Sequence, residues 1–207
     1  MRLREEIGFL IQMPNTAIPI ILASNSPRRK ELLRQVGVSF TVDPADVDER
    51  PLPGERPEDY AVRVALDKAR VAAARSKNGV IIAADTIVVV DDTILGKPAD
   101  RNDAERMLTV LSNRVHRVIT GLAVIDAASG KTMTNSAVTS VWFRDLSQQE
   151  IQSYIAGGEP LDKAGAYGIQ GKGALLVKQI EGCYFNVVGL PLSLLGELLR
   201  KFGISLL

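Results

Sequence analysis

The chain has 207 residues, of which 46% are hydrophobic and 24% are charged. This composition is typical of globular proteins and excludes wholesale disorder, collagen-like repeats and low-complexity architectures. The 25 lysines and arginines nearly balance the 24 acidic residues, so the chain has no global positive field of the kind that holds nucleic acid. Any bound anion must therefore be held by locally placed charge.

Cysteine and histidine are each present once, as Cys183 and His116. A single cysteine excludes an intramolecular disulfide and cysteine-cluster zinc sites, and a single histidine excludes paired-histidine metal motifs. A bound metal would have oxygen ligands, which favours Mg²⁺ or Mn²⁺. His116 lies between two arginines of a strand-like segment, and we interpret it as an exposed strand histidine.

The apolar runs of the sequence are too short for a membrane span of ~20 residues, and Asp85 interrupts the best candidate at 80–90. The N-terminal segment mixes basic and acidic residues, which is unlike a secretory signal. We therefore expect a cytoplasmic protein with no membrane association. Residues 1–16 are expected to form an extension before a single domain at 17–207, with Met13 as an alternative start.

Strands and helices alternate along the sequence. The apolar run at 18–23 predicts a strand, followed by a helix with Ser26 as N-cap and Pro27 at its first position. The later segments predict, in order, strand 38–42, an acidic loop at 44–57, helix 56–77, strand 80–90, helix 100–111, strands 115–125 and 132–143, helix 147–156, a glycine-rich loop at 160–173, strand 174–180 and helix 190–202. Because the two central strands are joined as a hairpin, we predict a mixed α/β sheet rather than a purely parallel one.

Three cations, Arg28, Arg29 and Lys30, fall in the first turn of the first predicted helix. There they oppose the positive end of the helix dipole, while the free backbone N–H groups prefer an anion. Isolated arginines at such a place are usually solvated surface charges. For the whole SNSPRRK cluster after a strand, we favour a phosphate site.

Two further charged residues lie in apolar surroundings. Asp85 lies within VIIAADTIVVV, where an ionised carboxylate is costly unless it is paired, hydrogen-bonded or metal-bound. The alternative is a turn aspartate bonded to backbone. Lys68 lies off the polar face of its helix, either as a lysine that extends its ammonium to solvent or as one directed into a cleft.

Two loops complete the candidate site. The glycines of 162–171 allow the backbone to approach a ligand, although the spacing of a Walker A loop is absent. Asp46, Asp48 and Glu49 form an acidic cluster, which is either a solvated loop or, beside a phosphate site, a source of ligands for a divalent metal.

Five ordered motifs resemble those of the Maf family of nucleoside triphosphate pyrophosphatases. They are LASNSPRRKELL (22–33), AADTIVV (83–89), LGKP (95–98), EPLDKAGAYGIQG (159–171) and NVVGLPL (186–192). The resemblance extends from residue 18 to about 203, and the DKAGAYGIQG segment is similar to the branch that acts on dTTP and UTP. The first 16 residues have no counterpart, and Cys183 stands where an acidic or small polar residue is common.

This resemblance implies a mixed, elongated β-sheet with flanking helices and two lobes around a cleft, related to inosine triphosphate pyrophosphatases. It implies hydrolysis of dTTP and UTP to the monophosphate and diphosphate, with a divalent cation, in a cytoplasmic homodimer linked to removal of modified pyrimidine nucleotides and to arrest of septum formation. Two alternatives stay open: a 7-methyl-GTP or purine-type pyrophosphatase on the same scaffold, and a nucleotide-binding regulator of septum formation without turnover.

Residue by residue, the resemblance implies Asp85 as the proton acceptor and, with Glu49, as a metal ligand. The implied substrate-binding residues are Ser24, Ser26, Arg28, Arg29, Lys68, Thr86, Lys97, Asp162, Lys163 and Gln170. Of these, Arg28, Thr86 and Gln170 match positions that the family uses for specificity. The Gln170 amide both donates and accepts, so it can match the O2/O4 and N3–H pattern of uracil or thymine.

Overall fold

The computed structural model describes residues 18–207, so the predicted extension at 1–16 and the alternative start at Met13 lie outside the described residues. The strands are β1 (Ile20–Leu22), β2 (Thr41–Val42), β3 (Val80–Val90), β4 (Thr93–Leu95), β5 (Val115–Asp126), β6 (Thr132–Phe143) and β7 (Val177–Glu181). The helices are α1 (Pro27–Gln35), α2 (Pro57–Arg75), α3 (Arg101–Leu111), α4 (Gln148–Ala156), α5 (Tyr184–Val188) and α6 (Leu192–Arg200).

All seven strands belong to one sheet with the order β2-β1-β3-β5-β6-β7, and β4 pairs with β3 outside this path. The β1–β2 and β1–β3 pairs are parallel, and the remaining pairs are antiparallel. This confirms the predicted mixed α/β sheet with its central β5–β6 hairpin. The domain boundary at residue 17 stays a prediction.

Helix α2 covers one face of the sheet. The opposite face is covered by helices α1, α3, α4, α5 and α6. The close approach of α2 to β5 requires small side chains. Ala61 of α2 is fully buried against Gly121 of β5, where an added Cβ would lie 2.2 Å from the Ala61 carbonyl oxygen. The glycine is thus required by the contact between helix and strand.

The apolar core is divided into four clusters, two on each face of the sheet. On the face opposite α2, one cluster includes Ile82 and Ala84 of β3 and the next includes Val88. On the α2 face, Ile81 and Ala83 belong to one cluster, and Ile87 to the next. The division between the clusters falls at Asp85 on the α2 face and at Thr86 on the opposite face. The molecule therefore has an apolar lobe at each end of the sheet, with a polar belt between them.

Several element boundaries differ from the prediction. The strand expected at 38–42 is reduced to Thr41–Val42, and the one expected at 174–180 is shifted to Val177–Glu181 because residues Gly171–Leu175 form a 3₁₀ turn. Helix α5 was not predicted, since its sequence YFNVV favours a strand by local propensity. Within the described residues, no helix has the length and apolar character of a membrane span.

Candidate active site

The site lies where strand β3 has no pairing partner along one of its edges. β5 pairs with one edge of β3 from Val80 to Val89. On the other edge, β1 pairs only as far as Ile82, and β4 begins to pair only at Val88. The intervening segment, with Asp85 at its centre, therefore borders the gap between two neighbouring strands. Parallel strand β1 ends at this gap, the usual place for a ligand in open α/β sheets.

The gap opens into a cavity of about 470 Å³. Its lining contains every site residue predicted from the sequence: Ser24, Ser26, Arg28, Arg29, Glu49, Lys68, Asp85, Thr86, Lys97, Asp162, Lys163 and Gln170. Thus residues more than a hundred positions apart in the chain meet around one space, with cations on several of its walls.

The start of helix α1 forms one wall of the cavity. As predicted, Ser26 is the N-cap, its hydroxyl accepting from the Arg29 backbone N–H at 3.4 Å, and Pro27 begins the helix. The Arg29 guanidinium turns back over this helix start. It donates to the Gly189 carbonyl at 2.8 Å, to Ser24 Oγ at 3.2 Å and to Thr86 Oγ1 at 3.1 Å.

Opposing effects act on the charge of Arg29. Burial lowers the pKa of the Arg29 guanidinium, and the nearby Asp85 carboxylate opposes that shift. Arginine begins from so high a pKa that it stays protonated at neutral pH. A fixed positive charge is therefore held at the start of a helix, an arrangement that suits a phosphate.

Lys68 of helix α2 lies between two carboxylates. Its Nζ atom is 2.7 Å from Asp85 Oδ1 and 2.6 Å from Glu49 Oε1. The side chains of Lys68 and Asp85 are 12% and 11% exposed, whereas that of Glu49 is 51% exposed. Of the alternatives left open by the sequence, Asp85 is therefore a paired carboxylate in mid-strand rather than a turn aspartate, and Lys68 points into the cleft.

The glycine-rich loop forms the opposite wall. Arg28 reaches across the cavity to Asp162, with a separation of 3.3 Å, and Lys163 binds both Asp162 and the Glu159 carbonyl. The Glu159 carboxylate in turn accepts from the backbone N–H groups of Lys172 and Gly173, each at 3.2 Å. These contacts close the loop on itself and fix the wall.

Lys97 and Gln170 are exposed and line the same cavity. Among the described residues, neither side chain makes a hydrogen bond or ion pair. Their polar groups are therefore available to a ligand. The cavity is thus lined both by charged groups that pair with one another and, at Lys97 and Gln170, by polar groups that are free for a ligand.

A family model described as Maf-like protein matches residues 19–202. The chain belongs to the Maf family. A dTTP/UTP pyrophosphatase from Geobacter metallireducens is 53% identical over 184 residues, which cover 89% of this chain and 96% of that protein. Proteins with the same name from Dictyoglomus turgidum and Syntrophomonas wolfei are 51% and 49% identical, covering 91% and 90% of this chain and 98% of each relative.

Sequence reasoning missed Tyr60, which contributes to this Maf site. Tyr60 of α2 lines the cavity and donates its hydroxyl to the Glu49 carbonyl at 2.6 Å. Burial raises the pKa of Tyr60 to about 12, so the phenol keeps its proton at neutral pH. A tyrosine on the apolar face of a helix gives no signal in the sequence, because packing alone explains it.

His116 is not the exposed strand residue expected from its flanking arginines. It is 2% exposed, and its Nε2 atom lies 2.7 Å from the hydroxyl of Tyr167, which lines the cavity. Its ring also packs edge-on against Phe143 and Tyr167. The expectation was wrong because a loop more than forty residues later folds over the strand, and no local pattern reveals that cover.

The donor set suits a divalent cation that also binds a substrate phosphate. In residues 18–207, no group of three or more histidine, cysteine, aspartate or glutamate side chains is placed to hold a metal. Mg²⁺, however, is commonly held by one or two carboxylates together with phosphate oxygens and water. Asp85 and Glu49 already share one positive group, the Lys68 ammonium, so their oxygens converge on a place that favours cations.

Proposed function

We propose that this Maf family enzyme hydrolyses dTTP and UTP to the nucleoside monophosphate and diphosphate. The observation that carries the proposal is the shared cavity, in which the Asp85 carboxylate faces the cationic start of helix α1. The names of relatives at about 50% identity over nearly their whole length support the choice of nucleotide.

We assign the triphosphate to the wall formed by α1, Lys68 and Lys97. Negative charge develops on phosphate oxygens and on the leaving diphosphate during hydrolysis, so donors that are already fixed lower the barrier. Three N–H groups of Arg29 are held by protein oxygens. Each terminal guanidinium nitrogen carries a second N–H, which leaves a pair of donors for phosphate, with Ser24 and Ser26 beside them.

Asp85 is assigned as the proton acceptor for the attacking water. Lys68 binds its Oδ1 atom, and no other hydrogen bond to this carboxylate is made by the described residues. Oδ2 is therefore open to a water molecule, and positioned carboxylates serve as general bases in such reactions. A divalent cation, Mg²⁺ or Mn²⁺, would be held by Asp85 and Glu49 and would supply further positive charge against the phosphate oxygens.

Gln170 is assigned to recognition of the base, in the loop whose Asp162 and Lys163 complete the cavity wall. We expect Gln170→Ala to reduce the preference for dTTP and UTP over other nucleotides more than it lowers the maximal rate. The physical reason is that a base hydrogen bond sets affinity for one edge pattern, while the reaction occurs at the α-phosphorus. Equal loss on every nucleotide would contradict this assignment.

Diphosphate release from a panel of nucleotides at equal concentration tests the proposed function. The panel contains dTTP, UTP, 7-methyl-GTP and ITP, each with Mg²⁺ and with Mn²⁺. We expect the two pyrimidine nucleotides to be turned over fastest. Preference for 7-methyl-GTP or ITP would support the alternative enzyme on this scaffold, and binding of dTTP without diphosphate release would support the non-enzymatic regulator.

The homodimer, the cytoplasmic location, the action on modified pyrimidine nucleotides and the link to septum formation stay predictions of the family resemblance. They are proposed together with the activity. Sedimentation of the purified protein would test the dimer independently of turnover.

A further inference from the structure

A line of two threonine hydroxyl groups leads from Arg29 into the sheet. Arg29 Nη2 is 3.1 Å from Thr86 Oγ1 of β3, which is 2.9 Å from Thr120 Oγ1 of β5. Thr120 Oγ1 is in turn 3.1 Å from the carbonyl oxygen of Asn186 in α5. Thr86 and Thr120 are direct partners in the β3–β5 pairing, and Thr120 is fully buried. Thr120 itself does not line the cavity.

The direction of every hydrogen bond in this line can be assigned. A carbonyl oxygen only accepts, so Thr120 donates its single hydroxyl proton to Asn186. Thr120 must then accept from Thr86, which uses the single proton of Thr86. Arginine only donates, so Thr86 accepts from Arg29. All three hydrogen bonds therefore point in the same direction, from the guanidinium as first donor to the Asn186 carbonyl as last acceptor.

The far end of the line is anchored on the sheet. The Asn186 side-chain amide donates to the Val118 carbonyl of β5 and to Thr139 Oγ1 of β6, each at 2.9 Å. Asn186 is fully buried. Thr139 also accepts from the Cys183 backbone N–H at 3.0 Å. The acceptor of Thr120 is thus held in place by contacts with strands β5 and β6.

We propose that Thr120 is a positioning residue for Arg29, and through it for the phosphate chain of the substrate; this rests on the proposed function. With the Thr120 hydroxyl in place, the proton of Thr86 points away from Arg29 and its lone pair faces the guanidinium. Without Thr120, the remaining acceptor near Thr86 is the Gly189 carbonyl at 3.5 Å. Arg29 already binds that carbonyl through Nε, so the two donors would compete for it.

The test compares Thr120→Val, which keeps the shape and removes the hydroxyl, with Thr120→Ser, which keeps the hydroxyl. Thr109→Val in helix α3 is the matched control, because it also removes a threonine hydroxyl that donates to a backbone carbonyl, that of Glu105, and Thr109 neither lines the cavity nor belongs to the line. We expect kcat/KM for dTTP to fall about three- to tenfold in Thr120→Val, the effect of one misplaced hydrogen bond. Thr120→Ser and Thr109→Val should each stay within about twofold of the parent on the same scale.

A purely structural role would lower the melting temperature of Thr120→Val and leave kcat/KM of the folded protein unchanged, which would overturn the proposal. A second requirement is coupling through Thr86. In a Thr86→Val background, the added Thr120→Val change should have little further effect, because the line is already broken. Independent, multiplicative losses would also overturn it. If Thr120→Val does not fold, Thr120→Cys takes its place. Its kcat/KM for dTTP is expected to lie below that of Thr120→Ser, since its S–H is a weak donor.

Calorimetric binding of inorganic diphosphate separates this inference from the proposed function. If the parent protein releases no diphosphate from any nucleotide, the proposed function fails, but a weaker diphosphate affinity in Thr120→Val than in Thr109→Val still supports positioning of Arg29. Equal affinities in the two variants would overturn the role of Thr120. A parent protein that neither hydrolyses nucleotides nor binds diphosphate would overturn both.

Discussion

Individual residues that break a local rule were the most informative part of the sequence. Asp85 stands in a strand that is otherwise nearly all apolar, and Arg28 and Arg29 stand at the unfavourable end of a helix dipole. Each of these charged side chains has a polar or charged partner at the cavity, because a charge placed against local preference needs compensation from elsewhere. By contrast, Thr120 and Asn186 break no local rule, so their hydrogen-bonded line could not be predicted without the fold.

The assignment of Asp85 leads to a prediction at the same scale. We expect Asp85→Asn to lower kcat by ~10² or more, because the amide cannot accept a proton from water. The side chain keeps its size, and its oxygen can still accept from Lys68, so the fold should be retained. Steady-state kinetics on dTTP measure the effect, with circular dichroism and the melting temperature as controls. Near-normal turnover by a folded variant would show that another group takes the proton.

Among the elements, long periodic segments were predicted with more accurate bounds than short ones. The β5–β6 hairpin and helix α4, whose Ser147 and Glu150 form a capping box, follow from local sequence. The expected strand at 174–180 begins later because residues 174 and 175 belong to the turn Gly171–Leu175, in which the Glu159 carboxylate binds the N–H groups of Lys172 and Gly173. That contact joins segments more than ten residues apart, so sequence periodicity carries no trace of it.

The contact of helix α2 with strand β5 gives a prediction at the scale of elements. In Gly121→Ala, the added Cβ would lie 2.2 Å from the Ala61 carbonyl oxygen, so helix and strand must separate. We expect a loss of about 1–3 kcal/mol in the free energy of unfolding, the usual cost of overpacking. Gly121 also lies opposite Asp85 in the pairing, so activity should fall as well.

Gly196→Ala in helix α6 is the matched control for Gly121→Ala. An added Cβ at Gly196 meets no atom within 4 Å, and alanine favours a helix over glycine by about 0.5–1 kcal/mol. Urea unfolding should therefore show the two glycine-to-alanine changes moving stability in opposite directions. Equal stabilities for Gly121→Ala and the parent would mean that α2 does not constrain β5 at this point.

For the molecule as a whole, the polar belt between the two lobes explains why the site lies where it does. Strand β3 runs through both lobes, and its even and odd residues contribute to different faces. At the belt, Asp85 faces helix α2 and Lys68, while Thr86 faces Arg29 on the opposite side. The sequence predicted both residues as part of a site but could not predict the division of the core, which depends on pairing between distant strands.

The pH dependence of global stability is a test at this largest scale, and it depends on His116. Burial lowers the pKa of His116 from 6.5 to about 4, so between these values the unfolded chain binds a proton that the folded protein does not. Stability is therefore fully present above pH 6.5 and is lost as the pH falls towards 4, by about 3 kcal/mol at pH 4 from this one group. The His116 ring packs edge-on against Phe143 and Tyr167, so protonation there would place a charge among aromatic side chains.

We expect urea unfolding of the parent protein to show a steeper loss of stability between pH 7 and pH 4 than that of His116→Phe, which has no titrating group at this position. The acidic residues titrate alike in both proteins, so the difference between the two curves isolates His116, and parallel curves would mean that the histidine is protonated equally easily in the folded and unfolded states.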